Sequence, residues 1–189
     1  VTENIILSEK ISNKILLIKP DNQEAKLASM AIAFNKNNEN KLKQLRLDVN
    51  QNKNEIIEFI FFQGDKIKTK KDISNSLLEI VKTSYSNNHN NNQYSNNYNF
   101  LLFYTTLSVL INNENYESVF IKAQLLQMIN KYIFAEATFL KIPEKSNYFL
   151  DAQKNMSPAK DDDKQDEDKD SKKTLISTEI KKKDEKKEK

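Results

Sequence analysis

General bases, nucleophiles and metal ligands are scarce in this chain. Its only histidine, His89, sits inside the stretch YSNNHNNNQYSNNYN at 85–99, and there is no cysteine. A base or ligand works when an ordered frame holds it against its target, and a histidine among asparagines has no such frame. Disulfides and thiolate metal sites are excluded, and a single glycine, Gly64, excludes a glycine-rich phosphate loop. The carboxylates are scattered. Glu55 and Glu58 share one face if their segment is helical, which is the usual arrangement of solvated surface charge. The densest run, Asp161-Asp162-Asp163, lacks the glycine turn and ligand spacing of a calcium loop. These residues point to a protein that is not an enzyme, with no catalytic, cofactor-binding or metal-binding residue, and they assign no partner-binding residue either.

The positive charges limit the partners. Of 30 basic residues one is arginine, Arg46, and lysine lacks the two-pronged fork that reads guanine edges. Sequence-specific DNA binding is therefore not expected. The chain also carries 25 Asn, 29 Lys and 19 Ile, the signature of AT-rich codons, and its net charge is only +3. It starts at Val1 rather than Met, as expected of a processed chain or a fragment of something longer. No run of 18 apolar residues exists, so no membrane span is expected, and the cytoplasm or nucleus is the favoured compartment.

Charge and apolar content divide the chain near residue 155. From Asn155 onward 11 Lys face 11 acidic residues, and only Met156, Ala159, Leu175, Ile176 and Ile180 are apolar. Such a segment cannot bury enough surface to offset its ordering entropy, so 155–189 is expected to be a disordered polyampholyte tail. Its charges are segregated, with an acidic block at Lys160 to Asp170 followed by a Lys-rich end.

The elements that would have to position any site lie in 1–154, which is expected to be one domain. Ile5, Ile6, Ile11, Ile15, Leu16 and Ile18 recur at helical spacing, and Pro20 closes that segment. Asp21-Asn22-Gln23-Glu24 forms a capping-box pattern with Asp21 as the cap, ahead of the stripe Ala25, Leu27, Ala28, Ala31 and Phe34. Asn35 to Asn40 ends this helix. Residues 41–62 fit two readings. Leu45, Leu47 and Val49 alternate with polar residues as in a β-hairpin, yet Leu42, Leu45 and Val49 also make one helical face. The helical reading is favoured because the neighbouring segments are helical; the alternative is a small α+β domain with a hairpin at 41–62. Lys70 to Ser84 reads as a helix, and the Asn-rich stretch 85–99 as a loop insertion. Phe100 to Ile111 and Tyr116 to Tyr132 read as two helices that a four-residue link forces antiparallel. Phe134 to Leu140 and Glu144 to Lys154 allow short helices split by Pro143.

The junction SEKISNKILLIKPDNQEAKLASMAIAF resembles the boundary between two tetratricopeptide repeats. Pro20, Asp21 and Asn22 supply the link, and Glu24, Ala25, Leu27, Ala28 and Ala31 the helix that follows. Gly64-Asp65 ahead of Thr69, Ile73 and Ser76, and Asn115-Tyr116 ahead of Val119, Ala123 and Leu126, match more loosely. The family's early Trp and most of its alanines are absent. The resemblance covers residues 3 to 133 and implies an all-α fold of stacked antiparallel helix pairs.

A non-catalytic protein–protein interaction scaffold, a subunit or fragment of a larger assembly, follows from this layout. Phe59, Phe61, Phe62, Phe100, Phe103, Tyr104, Phe120, Tyr132, Phe134 and Phe139 are many large side chains for a thin helical stack to hide, so some should remain for a protein partner. The alternative is an RNA-associated ribonucleoprotein subunit using the Lys-rich tail. A helical body with such an end is similar in layout to the larger protein subunit of the signal recognition particle heterodimer. Lysines would give it phosphate contacts without sequence preference.

Overall fold

A computed structural model describes residues 2–90 and 98–156, with side chains over 4–85 and 98–156. The described chain is mostly helical, with nine helices packed in adjacent pairs and one two-stranded hairpin. In order these are α1 (Thr2–Ile18), α2 (Gln23–Asn35), α3 (Glu39–Asn52), α4 (Glu55–Phe61), β1 (Phe62–Gln63), β2 (Lys66–Ile67), α5 (Lys70–Asn90), α6 (Tyr98–Ile111), α7 (Tyr116–Met128), α8 (Tyr132–Phe139) and α9 (Phe149–Met156).

Asparagine does the punctuation that glycine, serine and threonine do elsewhere. Asn22, Asn38 and Asn54 are the N-caps of α2, α3 and α4, each accepting through Oδ1 from the backbone N–H three residues on, at Ala25, Lys41 and Ile57. Each cap satisfies an amide that has no partner inside its helix. The cap of α2 is thus Asn22 and not Asp21, because the helix begins one residue later than the capping-box pattern implies. At the C-terminal ends, Asn37, Lys53 and Asn130 adopt positive φ of 52°, 47° and 60°. In each case the next residue's N–H reaches back five residues, from Asn38 to Ala33, Asn54 to Val49 and Lys131 to Leu126, at 2.9, 3.2 and 2.8 Å. These three closures are the left-handed helix ends that most proteins build with glycine.

Several boundaries differ from the sequence expectation. Residues 41–52 and 55–61 are helical, joined through Lys53 and Asn54, and the hairpin begins only at Phe62. Phe62 pairs with Ile67 and Gln63 with Lys66, leaving Gly64-Asp65 as a two-residue turn in which Gly64 takes φ 57°. A positive φ at the first turn position suits glycine and matches the right-handed twist of the strands. Helix α5 continues through Asn90 and α6 begins at Tyr98, so both edges of the Asn-rich stretch are helical; 91–97 lie outside the described residues. The helix expected to reach Tyr132 stops at Met128, because Asn130 turns the chain into α8. Helix α9 starts at Phe149, later than Glu144, behind a run of turns. Asn155 and Met156 belong to α9, and the rest of the expected tail, 157–189, lies outside the described residues.

The chain divides into two compact units. Among the described residues, the first comprises 2–78 and 106–115, the second 79–90, 98–105 and 116–156. In the first unit α2 is the centre, packed between α1 and α3. Ala25, Leu27, Met30, Ala31, Ile32 and Ala33 are all buried, more than one helical face, as a helix covered on several sides requires. The α3 side adds Leu42, Leu45 and Val49, and α4 adds Ile57, Ile60 and Phe61. Lys26 is also buried. Its ammonium meets Asp48 of α3 at 2.8 Å and Asp21 at 3.8 Å, so the charge is paired rather than stranded. Where α5 and α6 contribute to this unit, Ser74 and Ser108 are buried and joined hydroxyl to hydroxyl at 2.7 Å, and Asn115 donates to Ser74 at 2.9 Å. In the second unit α8 packs on α7 and α9 on α8, around Phe120, Phe139 and Tyr148.

Candidate docking surfaces

Among the described residues, no side chains with possible acid–base chemistry converge as a cluster of His, Cys, Asp and Glu. Glu55 is exposed and Glu58 half-buried at the start of α4. His89 falls in the last turn of α5, outside the side chains described, and Asp161, Asp162 and Asp163 lie outside the described residues. Among the described residues no three His, Cys, Asp or Glu side chains converge as metal ligands, and no helix is long and apolar enough to cross a membrane.

Arg46 has an internal occupation. From α3 its guanidinium donates to the carbonyl oxygens of Gly64, at 3.3 Å, and of Asp65, and meets the Asp65 carboxylate at 3.1 Å. It also lies 4.9 Å above the Phe62 ring. A planar fork can clamp a turn and stack on an aromatic at once; an ammonium cannot. The one arginine is thus committed to pinning the β1–β2 turn. Lys68, nearby, donates to the Phe59 carbonyl at 2.5 Å and lies 5.0 Å over the Phe59 ring.

Two half-buried groups have shifted protonation, both in the second unit. Burial pushes the Lys122 ammonium below its ordinary 10.5, and neighbouring Lys141 adds to this. Burial raises the Tyr85 hydroxyl above its ordinary 10.0, with Tyr98 contributing.

The surfaces that stand out are apolar. Of the ten aromatics expected to compete for a core, Phe61, Phe62, Tyr104, Phe120 and Phe139 are buried, whereas Phe59, Tyr132 and Phe134 are exposed. Around Phe134 on α8, Ile133, Ala137 and Leu140 recur at i, i+4 and i+7 and all face solvent, Ile133 at 81% exposure. The opposite side of α8, Ala135, Thr138 and Phe139, is buried.

Helix α1 carries the longer stripe. Leu7, Ile11, Ile15 and Ile18 recur at i, i+4, i+8 and i+11 and are exposed, with Ile18 at 78% and Leu17 beside it at 83%. The side that α1 turns inward holds half-buried Ile5, Glu9 and Leu16 around a fully buried Ser12, whose hydroxyl donates to the Ser8 carbonyl. A small residue at that place lets α1 lie close to α2. The stronger apolar ridge is therefore the outer one. Sequence periodicity groups Ile11, Ile15 and Ile18 with Ile5 and Leu16 as one apolar set; the buried serine at position 12 is the signal that there are two sides.

The ionic flank of this ridge is one-signed where its side chains are described. Lys10 and Lys14, a turn apart on one edge of the ridge, are exposed and make no ion pair among the described residues, while Glu9 is held by Lys36 of the α2 C-terminus at 2.5 Å. Ser8 on the other edge is neutral. No family model, curated protein or solved structure matches this chain.

Proposed function

We propose that this chain is a non-catalytic protein–protein interaction scaffold, a component of a larger assembly, built from tetratricopeptide-like helix pairs. The observation that carries the reading is the α1 ridge. Four branched aliphatic side chains in one line, on a helix whose other side is already packed, are costly to leave in water. Helical-repeat units characteristically present such faces, because each pair buries one side on its neighbour and offers the other to the next helix along. The smaller α8 patch gives a second surface of the same kind on the other unit.

The test is co-purification of the tagged full chain from its native cells, beside versions carrying Ile11→Glu or Ile133→Glu. Both positions are exposed, so the unbound fold should keep its stability within about 0.5 kcal/mol. A protein that accompanies the native chain in fixed proportion and is lost with either substitution supports the reading. The scaffold reading fails if no protein accompanies the native chain, or if neither substitution reduces the association.

A further inference from the structure

We propose that the outer ridge of α1, Leu7–Ile11–Ile15–Ile18, docks a single amphipathic α-helix whose own apolar stripe is flanked by acidic side chains. The inference rests on the scaffold reading and names the chemistry of one partner.

Spacing selects the shape of the occupant. The ridge advances by four, four and three residues, so it runs along the helix axis for about 16 Å, three turns. A second helix can follow such a line with its own i, i+3 and i+4 side chains, fitting each into the gaps along the ridge. An extended strand, whose side chains alternate every residue, meets that line only at isolated points. The ridge is purely aliphatic and branched, as helix seams are, and offers no aromatic trough for a proline-rich segment.

Charge selects the chemistry. Lys10 and Lys14 border the ridge without a carboxylate partner among the described residues, and the adjacent Glu9 is engaged by Lys36. An incoming helix with glutamates on the flank that meets Lys10 and Lys14 gains two cross-helix pairs and is steered toward the face. The same charges argue against a second copy of this chain. In an antiparallel α1–α1 pairing the same flanks meet, which brings Lys10 of one chain to Lys14 of the other, and like charges so placed repel.

The experiment uses the full chain and fluorescently labelled helical peptides of about 20 residues, long enough to hold helix on docking. One peptide carries leucines at i, i+4, i+7 and i+11 with glutamates beside them; the other replaces those glutamates by lysines. Fluorescence anisotropy should show the glutamate peptide binding at least about tenfold more tightly at low salt, with the gap narrowing as salt rises. The doubly substituted chain Lys10→Glu, Lys14→Glu should reverse the preference, and Ile11→Glu should weaken the glutamate peptide by about tenfold or more. The charge-reversal variant leaves the apolar ridge intact, so the proposal stays testable even if Ile11→Glu lowers stability. Equal binding of both peptides, binding indifferent to Ile11→Glu, or an Ile11-dependent dimer in sedimentation overturns it. Should native partners be lost with Ile133→Glu but not with Ile11→Glu, the scaffold reading stands and this proposal falls.

Discussion

Single residues do more of the structural work than their abundance suggests. Arg46 makes three polar contacts to the Gly64-Asp65 turn and stacks on Phe62, so Arg46→Lys keeps the charge but loses the fork. The contacts are only partly shielded from water, and the expected loss is about 1 to 2 kcal/mol in urea unfolding, with an unchanged m value. Lys53 shows the opposite situation. It holds a left-handed conformation with a β-carbon that disfavours it, so Lys53→Gly should stabilise the chain by about 0.5 to 1 kcal/mol, the released strain less the extra entropy of glycine when unfolded. A loss of stability on that substitution would show that the lysine side chain contributes more than its backbone costs. Neither role was legible in the sequence. A lone arginine and an ordinary lysine carry no local pattern, and their tasks are set by a turn 18 residues away and by a helix end.

At the scale of elements, the sequence was most readable where a helix is closed by a visible stop and least where an element has two apolar sides. Pro20 fixed the end of the first helical segment, and Leu42, Leu45 and Val49 marked the buried face of α3 as one helical stripe. The capping pattern at 21–24 points one residue early, because Asp and Asn are equivalent acceptors and only backbone geometry chooses between them. The full extent of α5 is not legible in its sequence, since asparagine is a poor helix former, yet it is tolerated for a turn beyond a strong apolar stripe. The pair α7 and α8 offers a direct contrast between a buried and an outward position. Ala123 is fully buried and Ile133 is not. Ala123→Leu should cost about 1 to 3 kcal/mol by overpacking, whereas Ile133→Ala should change stability by less than about 0.5 kcal/mol. Comparable losses at the two sites in thermal unfolding would mean that the outer side of α8 is covered in the free protein.

For the whole molecule, burial is spread over two compact units, and the two half-buried titrating groups described above share the second. Lys122 and Tyr85 both belong to the second unit. Lys122 has its folded pKa lowered, so between that value and 10.5 the unfolded chain binds more protons than the folded one and stability rises with pH. Tyr85 has its folded pKa raised, so from 10.0 upward the folded chain holds the extra proton and stability falls as pH climbs. Amide exchange should therefore show protection of 116–156 improving on approach to pH 10 and declining above it, a trend that Lys122→Met removes from the rising limb. That substitution should also stabilise the second unit at pH 7, by up to about 1 kcal/mol, since the amine keeps part of its hydration. Protection that is flat with pH across both units would contradict the burial of Lys122. The mostly helical class was legible from periodicity and the paired arrangement was what the repeat resemblance implied; the division into units was not legible, because it depends on which halves of α5 and α6 pack with which neighbours.

The three asparagine caps carry one more consequence, in how the protein ages. Side-chain amides of asparagine hydrolyse slowly in warm solution, and in most places the new negative charge is a defect. At Asn22, Asn38 and Asn54 simple hydrolysis gives aspartate, which keeps the accepting oxygen and adds a negative charge at the positive end of a helix. Where that wear takes the direct route to aspartate, it tightens the first turn of these three helices instead of loosening it.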